Sequence, residues 1–421
     1  MGLKQCKMEI VELNCRFCNS SLKHIFADLG KTPLANSYLN SDNLEKPETF
    51  YPLKAYVCEN CFLVQTDEFE KPQNIFEEYA YHSSFSKTWI HHIQEFVMNT
   101  IKRFKLDEKN HVIEIASNDG YMLQFFKNNG IPVLGIEPAK NIAKIAEEKG
   151  IPTISKFFGE QTASEVISVK QKADILIAFN VLPHVPNLLD FVKGLKKLLN
   201  DNGVLIIQFS AYLSQMIEKT EFDMIYHEHF SYFSLFTLQK IFSHCDLDIF
   251  DVEEFTIHGG SLRLFIKHKN NQTISLKTSV SKQLKLEEKF GIPKLITYEN
   301  YQDHIINIKQ NIWTFFKQIK NESKTIVGYG APAKANTLLN YCGIGTDFLD
   351  YTVDLDPYKQ GLFLPGTGIP IFSPEKISET NPDYVVILAW NLKDEIIEQL
   401  QFIRNWGGKF IVLIPEVEII S

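Results

Sequence analysis

Tyr226, His227, Glu228 and His229 are four consecutive residues whose side chains exchange protons or form hydrogen bonds. An aromatic stretch begins directly after them at Phe230, and a solvated surface loop does not normally continue in this way. A buried strand, in turn, does not normally contain His-Glu-His. The combination indicates a polar cluster in the wall of a pocket, where general acid–base chemistry needs titratable groups away from bulk water. A solvated turn with one hydrogen-bonded core histidine fits the same four residues.

Two Cys-x-x-Cys pairs, Cys15 with Cys18 and Cys58 with Cys61, are a second candidate site. Four thiolates suit the tetrahedral coordination of Zn2+, and a closed site of this kind leaves no open position for a substrate. We therefore expect a structural zinc ion in a small β-rich module, although a metal-free domain with buried thiols has the same pattern. The remaining cysteines stand alone and are expected to be core or incidental residues: Cys6, Cys245 and Cys342.

The His-Glu-His run could also be a metal tripod. A zincin helix would require a second histidine at position 231, where Ser231 stands. The four paired cysteines already account for the expected zinc. We therefore predict a metal-free acid–base site at residues 226–229.

Strands that alternate with helices must position these residues. The predicted strands of a first unit span residues 111–116, 132–137, 173–179 and 203–209, and those of a second unit span 325–327, 351–354, 384–389 and 409–414. This alternation predicts two doubly wound, largely parallel sheets. An amphipathic helix over 87–104 precedes the first unit, and a helical stretch near 282–320 links the two.

The first unit has a candidate cofactor loop at residues 114–120, between a strand and a helix. Ligands of doubly wound sheets bind at the carboxyl ends of the strands. Gly120 is the single glycine of this loop, so a dinucleotide pyrophosphate fits it poorly, whereas Glu137 at the end of the next strand suits ribose hydroxyls. An acidic loop without a phosphate cradle favours S-adenosylmethionine over NAD, although a buried strand-end glutamate is often only a cap. After a later strand, His184 lies in a Pro-flanked loop, where a pocket role and a structural role are both open.

The second unit has a better phosphate loop, Gly328-x-Gly330 followed by Lys334. Backbone N–H groups, a helix N-terminus and a lysine suit diphosphate oxygens. Asp354 resembles the ribose acid of an NAD site, so the loop could bind NAD or a nucleotide diphosphate that is part of the substrate. Small residues and an arginine at 258–263 also suit phosphate, or they form a turn followed by a strand with an exposed Arg263. A further loop could close over a nucleotide with Lys359, Gly361, Pro365 and Gly366.

As a set, these motifs resemble the bacterial C-methyltransferases that act on nucleotide-linked 4-keto-deoxysugars, a S-adenosylmethionine-dependent family. The resemblance runs along nearly the whole chain. Besides the cysteine pairs it includes Tyr-x-Tyr-x-Ser-Ser at 79–84, Glu-Ile-Ala-Ser-Asn-Asp-Gly at 114–120, Gly-Ile-Glu-Pro at 135–138, Asn-Val-Leu-x-His-Val at 180–185, Tyr-His-Glu-His at 226–229, His-Gly-Gly-Ser-Leu-Arg at 258–263 and Gly-Tyr-Gly-Ala-x-Ala-Lys at 328–334. Pro332 is a mild departure, because the family often has a smaller residue there.

The resemblance implies an α/β architecture of three parts: a zinc-binding module at 1–75, a Rossmann-like class I methyltransferase domain at 76–257 and a second Rossmann-like domain at 258–421 that holds the nucleotide sugar. It implies S-adenosylmethionine contacts by Ser84, Glu114, Ala116, Asn118, Asp119, Gly120, Glu137, Pro138, Phe157 and Asn180. It implies substrate contacts by Ser261, Arg263, Gly328, Tyr329, Gly330, Ala331, Lys334, Asn336, Asp354, Lys359, Pro365 and Gly366. The second loop is then a substrate site and not an NAD site.

The resemblance also assigns chemistry. A proton beside a ketone is acidic enough for a positioned base to remove, and the resulting enolate attacks a sulfonium methyl group. His229 is implied as the base at sugar carbon 3, and Glu228 is expected to orient or tune it. The keto or enolate oxygen is expected to bind Tyr226, His184 and one of Tyr79 or Tyr81. His227 is expected to be structural.

Composition excludes several other classes. The 421 residues are 44% hydrophobic and 22% charged with a net charge of −8, which is typical of a globular protein and disfavours a dedicated RNA-binding zinc protein. With no apolar run of about 18 residues and no hydrophobic signal core, we expect a cytoplasmic monomer without a membrane span. An NAD-dependent nucleotide-sugar oxidoreductase is the main alternative. Methylation at carbon 5, and a thymidine or a guanosine diphosphate in the substrate, stay open.

Overall fold

A computed structural model describes residues 13–71, 87–255 and 259–421. Tyr79, Tyr81 and Ser84, which were expected to line the site, lie outside these ranges, as does His258. The described residues form three sheets, and the expected α/β class with a small N-terminal metal module is confirmed. No helix of the described ranges combines the length and the apolar character that crossing a membrane requires.

The N-terminal sheet is antiparallel. Its strands are β1 (His24–Thr32), β2 (Tyr51–Val57) and β3 (Val64–Thr66). A fourth strand, Ser231–Tyr232, comes from the segment that follows the Tyr-His-Glu-His motif and pairs with β3. The candidate catalytic segment is therefore part of the zinc module's sheet, although about 160 residues of sequence separate them.

The central sheet has seven strands in the order β10-β11-β8-β7-β4-β5-β6. The strands of this region, including the short β9, are β4 (Val112–Ile115), β5 (Val133–Ile136), β6 (Thr153–Ile154), β7 (Ala173–Phe179), β8 (Leu199–Ser210), β9 (Ser231–Tyr232), β10 (Leu247–Phe255) and β11 (Ser261–His268). The pairs among β4 to β8 are parallel, and β11 runs antiparallel between β8 and β10. The parallel strands β4, β5, β7 and β8 were predicted, whereas the short parallel β6 and the antiparallel hairpin of β10 and β11 were not.

Helices cover both faces of this sheet. They are α1 (Lys87–Phe104), α2 (Leu123–Asn128), α3 (Lys140–Glu148), α4 (Glu160–Val169), α5 (Leu188–Leu198), α6 (Leu213–Lys219) and α7 (Leu235–His244). The amphipathic α1 has the predicted bounds and buries Trp89, Ile93 and Phe96 against the sheet. Buried apolar strands between two helix layers are what a doubly wound sheet requires.

The helical stretch that links the two sheets is broken into α8 (Thr278–Phe290), α9 (Ile296–Glu299) and α10 (Tyr301–Asn321). Helix α8 ends at Gly291, whose φ of +100° lies in the left-handed region that glycine adopts without strain. Helix α10 packs on the zinc module, where Phe26 stacks on Tyr301 with ring centroids 4.2 Å apart.

The C-terminal sheet has six strands in the order β14-β13-β12-β15-β16-β17. They are β12 (Ile326–Tyr329), β13 (Thr352–Val353), β14 (Ile371–Phe372), β15 (Tyr384–Ile387), β16 (Lys409–Val412) and β17 (Glu418–Ile420), and the pairs from β14 through β16 are parallel. Its helices are α11 (Ala333–Cys342), α12 (Lys376–Thr380) and α13 (Lys393–Gln399). One hydrophobic core joins α10, α11 and the inner face of the zinc module.

Candidate active site

His229 is buried in the loop before β9 and is held at both ring nitrogens. Its Nδ1 lies 2.9 Å from the carbonyl oxygen of Met224, and its Nε2 lies 2.7 Å from the hydroxyl of Tyr226. A carbonyl can only accept, so Nδ1 carries the proton and Nε2 accepts from Tyr226. Burial lowers the pKa of His229 well below its usual value of 6.5. The ring is therefore neutral, and Nε2 is the atom that can take a proton.

His184 lies against this ring and comes from the loop after β7. The two imidazole centroids are 4.7 Å apart. His184 Nδ1 donates to the main-chain carbonyl of Glu228 at 2.8 Å, and burial lowers the pKa of His184 to about 4. In this tautomer Nε2 can only accept, so the expected role of His184 as a donor to a substrate oxygen would need the other tautomer.

The side chain of Glu228 points to the zinc module. Both of its carboxyl oxygens lie 2.8 Å from Nδ2 of Asn36. Burial raises the pKa of Glu228 to about 7. Within the described ranges, the side-chain hydrogen bonds of Glu228 thus lead to Asn36, and its contact with His184 runs through its main-chain carbonyl.

His227 also faces the zinc module. Its Nε2 donates to the carbonyl of Pro52 at 3.1 Å, and its ring packs edge-on against Tyr51 and Phe69. Burial lowers the pKa of this imidazole as well. His227 therefore lies on the side of the loop away from the His184–His229 pair.

The expected cofactor residues meet at the carboxyl edge of the central sheet. The Glu137 carboxylate accepts from the backbone N–H groups of Asn118 and Ala139, each at 2.9 Å, and burial raises its pKa to about 7. Burial raises the pKa of Glu114 well above its usual value, and Asp119 pairs with Lys149 at 2.9 Å.

The backbone of the same edge bends sharply. Ala116, Asn118 and Asn180 all have φ near +50°, a region that non-glycine residues adopt mainly where the surroundings or function require it. Asn180 accepts from the N–H of Ser210 at 3.1 Å. Phe157 is 37% exposed on the loop after β6 and is available to cover a ligand.

These residues fit S-adenosylmethionine. Three buried acids surround the loop, and an acceptor-rich set of this kind suits a cofactor that has a sulfonium, an ammonium and ribose hydroxyls. The loop offers a single glycine, Gly120, and so lacks the cradle that a pyrophosphate needs.

The four paired cysteines fit zinc. Their Sγ atoms all lie within 4.8 Å of one another, with Cys15 3.5 Å from Cys61 and Cys18 3.4 Å from Cys58. Tetrahedral zinc with Zn–S bonds of about 2.3 Å places its ligands about 3.8 Å apart. The four thiols are free and at least partly buried, so the predicted structural zinc site is confirmed at the level of its ligand cluster and its domain family.

The Gly-rich loop of the C-terminal domain leads into α11. The backbone N–H of Ala331 in this loop already has an acceptor within the protein. The N–H of Ala331 donates to Asp354 at 2.7 Å, and the carbonyl of Ala331 accepts from Lys359 at 3.1 Å and from Tyr38 at 2.5 Å. Lys359 lies 3.8 Å from Asp354. Asp354 therefore caps this loop from within, next to a lysine that an external anion could share.

Several other residues that were expected to contact the substrate form hydrogen bonds to groups of the protein itself. Lys334 is buried over the ring of Trp390 and bonded to Asn391, and burial lowers its pKa to about 8. Tyr329 donates to Gln399 at 2.9 Å, and Asn336 donates to the carbonyl of Ala35 at 2.6 Å. Gly328 lies within β12 and Gly330 directly follows this strand. Pro365 and Gly366 contact Asn340 and Glu48.

Arg263 is not exposed, contrary to one of the two interpretations of its motif. It lies in β11, 5% exposed, and donates to Gln208 at 2.9 Å and 2.7 Å. It also pairs with Glu253 at 3.2 Å and packs over Phe96. Ser261 starts the same strand and is paired in register with Ser210. Arg263 is thus built into the central sheet, next to α1.

Sequence reasoning missed several residues of the site. Asn36 and Tyr38 come from the zinc module, and Met224 contributes only its carbonyl group. None of the three lies in a spacing pattern with the histidines. Long-range folding brings Asn36 and Tyr38 there, so no local signal could have identified them. Met224 is only five residues before His229, but a main-chain carbonyl leaves no signal in the residue type.

Comparisons with known proteins match each part of the chain. Family profiles match residues 15–76 as "Putative zinc binding domain", residues 89–252 as "Methyltransferase domain" and residues 256–415 as "C-methyltransferase C-terminal domain". The chain is 33% identical over 408 residues to the C-methyltransferase NovU of Streptomyces niveus, which covers 97% of this chain and 96% of that protein. It is 24% identical over 152 residues to a ubiquinone biosynthesis O-methyltransferase of Pelagibacter ubique, covering 35% of this chain and 61% of that protein.

Solved structures match less than half of the chain. A S-adenosylmethionine-dependent methyltransferase of Clostridium acetobutylicum matches with a TM-score of 0.34 at 11% identity, covering 42% of this chain and 92% of that one. The magnesium protoporphyrin IX methyltransferase of Synechocystis with bound SAM matches with a TM-score of 0.33 at 14% identity, covering 42% of this chain and 78% of that one.

Proposed function

Because the chain belongs to the S-adenosylmethionine-dependent C-methyltransferase family, we propose that it methylates carbon 3 of a nucleotide-linked 4-keto-6-deoxysugar or aminosugar with His229 as the base. The observation that carries this proposal is the neutral, buried His229, whose proton-accepting Nε2 is aimed at a hydroxyl and not at a carboxylate. The substrate is a thymidine- or guanosine-diphosphate sugar. The choice of carbon 3 over carbon 5 rests on the resemblance to sugar C-methyltransferases.

The side chains around His229 supply the steps of an enolate mechanism. Tyr226 donates to Nε2 in the absence of substrate. A ketone oxygen offers this hydroxyl a second acceptor, and a turn of the hydroxyl hydrogen toward the ketone exposes the Nε2 lone pair to the neighbouring C–H. As Nε2 takes the proton, Tyr226 stays bonded to the oxygen on which negative charge develops. When bound, S-adenosylmethionine supplies the electrophilic methyl group.

A neutral His184 supports this proton transfer. An imidazolium at a centroid distance of 4.7 Å would repel the positive charge that His229 acquires. The pKa of about 4 keeps His184 uncharged at neutral pH. With its proton on Nδ1, His184 packs against the base and leaves the donor role to Tyr226, or to Tyr79 or Tyr81.

Helix α11 connects the proposed sugar site with the proposed nucleotide site. Thr337 of α11 donates to the carbonyl of Ile225 at 3.0 Å, one residue before Tyr226. Lys334 is less than one helical turn away from Thr337, and the N-terminal end of α11 directly precedes it at Ala333. A nucleotide sugar whose diphosphate contacts Lys334 or Lys359 could therefore present its sugar to His229.

Proton exchange in deuterated water tests the proposal directly. Wild-type protein is incubated in D2O with thymidine- and guanosine-diphospho-4-keto-6-deoxyglucose, and NMR measures deuterium at carbons 3 and 5. We expect deuterium at carbon 3, and mass spectrometry detects one added methyl group when S-adenosylmethionine is present. Deuterium and methyl at carbon 5 would correct the position and leave the class of reaction intact.

The His229→Asn variant should lose exchange and methylation while it still binds S-adenosylmethionine in calorimetry. His91→Asn is the matched control, because His91 is 74% exposed on α1 and lies outside the site. Unchanged turnover in His229→Asn would refute the assignment of the base.

A further inference from the structure

The zinc module holds the main chain of the base itself. Thr66, the last residue of β3, donates its hydroxyl to the carbonyl of His229 at 2.8 Å. Its backbone N–H donates to the carbonyl of Phe230 at 3.2 Å. The ladder continues with Val64 opposite Tyr232. A strand of another module thus holds the carbonyl groups of His229 and Phe230 and pairs with residues 231–232.

Arg16 adds a second clamp from inside the first zinc knuckle. Its Nη1 donates to the carbonyl of Thr66 at 2.6 Å and to the carbonyl of Phe230 at 2.8 Å. The guanidinium also lies 5.5 Å from the centroid of the Phe230 ring. A single charged group thereby ties β3 to the residue next to the base.

The position of Arg16 depends on the knuckle. Arg16 stands between Cys15 and Cys18, and its backbone N–H donates to Gln65 Oε1 at 2.9 Å. Gln65 in turn donates to the carbonyl of Asn14 at 3.3 Å. A knuckle whose thiolates share one metal fixes the chain path from Asn14 through Cys18, and so fixes where the guanidinium stands.

We infer that the zinc module positions the base, with Thr66 and Arg16 as the positioning residues that connect the metal knuckle to His229. This inference rests on the proposed function, in which His229 removes the substrate proton. The module then does more than stabilise the fold: it sets the height and angle of the imidazole relative to Tyr226. A reacting atom displaced by about 1 Å can cost about a hundredfold in rate.

Thr66→Val is the sharpest test, because valine keeps the shape of threonine and removes the donor to the carbonyl of His229. Thr66→Ser restores the donor and should restore activity. Thr237→Val is the matched control: Thr237 also donates its hydroxyl across the same interface, to the carbonyl of Cys61 at 3.1 Å, but it does not contact the catalytic segment.

Three measurements separate positioning from general damage. We expect all variants to retain one zinc per chain and to bind S-adenosylmethionine as the wild type does. In Thr66→Val, deuterium exchange at the substrate carbon should fall about ten- to a hundredfold through kcat, with KM nearly unchanged. Hydrogen exchange of the backbone amides at 229–232, measured without substrate, should become at least about tenfold faster.

The outcomes distinguish a failure of this inference from a failure of the proposed function. Wild-type kcat in Thr66→Val, or an equal loss in Thr237→Val, would overturn the inference. If Thr66→Val does not fold, Arg16→Lys takes its place, and a kcat equal to that of the wild type would overturn the inference in the same way. If the wild type itself exchanges no substrate proton, the proposed function fails. The amide exchange then still decides whether the module holds this segment.

Discussion

Glu228 is predicted to make the stability of the protein fall as the pH rises through neutrality. Burial raises its pKa to about 7, against an ordinary value of 4.5. The unfolded chain therefore releases this proton near pH 4.5 and the folded chain only near pH 7. Between these values the unfolded state gains stability from ionisation that the folded state does not share, so the free energy of unfolding decreases with rising pH.

The magnitude follows from the two pKa values. One pH unit of difference is worth about 1.4 kcal/mol per proton, and the two titration curves together give a loss of about 2–3 kcal/mol between pH 5 and pH 8. Glu228→Gln removes the ionisable group while its amide oxygen still accepts from Asn36. The variant should therefore lack this part of the pH dependence.

Urea unfolding followed by tryptophan fluorescence at pH 5, 6, 7 and 8 measures the difference. Between pH 5 and pH 8, the free energy of unfolding of the wild type should fall by about 2–3 kcal/mol more than that of the variant. Glu147→Gln on the exposed face of α3 is the control and should run parallel to the wild type. Parallel curves for Glu228→Gln and wild type would refute the desolvation argument, because the carboxyl group would then have to be solvated in the folded state.

Two further predictions concern the cofactors. Cys58→Ser should lower zinc to well below one ion per chain by elemental analysis and destabilise the whole protein by several kcal/mol, because binding energy at a structural zinc site is folding energy; full zinc content in this variant would contradict the four-cysteine site. Glu137→Gln should weaken S-adenosylmethionine binding about ten- to a hundredfold in calorimetry at pH 8, since hydrogen bonds to a charged group contribute about 1.5–3 kcal/mol; an unchanged Kd would show that Glu137 only braces Asn118 and Ala139.

Patterns that act over short stretches were predictable from the sequence. The buried parallel strands fell where apolar runs met turn residues, as with Val112–Ile115 within the expected 111–116. A helical stretch near 282–320 was predicted without internal bounds, and the structure divides it into three helices, the first of which ends before Gly291. Only a few residues interrupt the helices, and the sequence on either side keeps its helical periodicity, so the interruption is not visible in the pattern.

The candidate site also combines local contacts, which the sequence could predict, with long-range contacts, which it could not. Tyr226 and His229 are three residues apart, so their contact follows from local geometry once the segment turns. Asn36 is 192 residues from Glu228, and Thr66 is 163 residues from His229. Contacts between residues so far apart in sequence depend on how whole modules pack. Neither residue type nor spacing predicts them. The Tyr226–His229 contact therefore lies within the motif, whereas the Glu228 side chain, expected to orient or tune His229, contacts Asn36 instead.

The zinc module and the proposed acid–base site are linked because burying His229 also buries main-chain groups that need hydrogen-bond partners. A histidine that must stay neutral has to be taken out of water, and its main-chain N–H and C=O groups are then buried with it. The N–H groups of His229 and Phe230 donate within the methyltransferase domain, to the carbonyls of Tyr226 and Pro183. Their C=O groups accept from Thr66 and Arg16 of the zinc module, and β3 pairs with residues 231–232. An unpaired buried group costs about 1–3 kcal/mol, so without the module this segment would be driven back into solvent. The pKa of His229 would then rise toward its ordinary value, and the proposed base would be protonated over more of the neutral range.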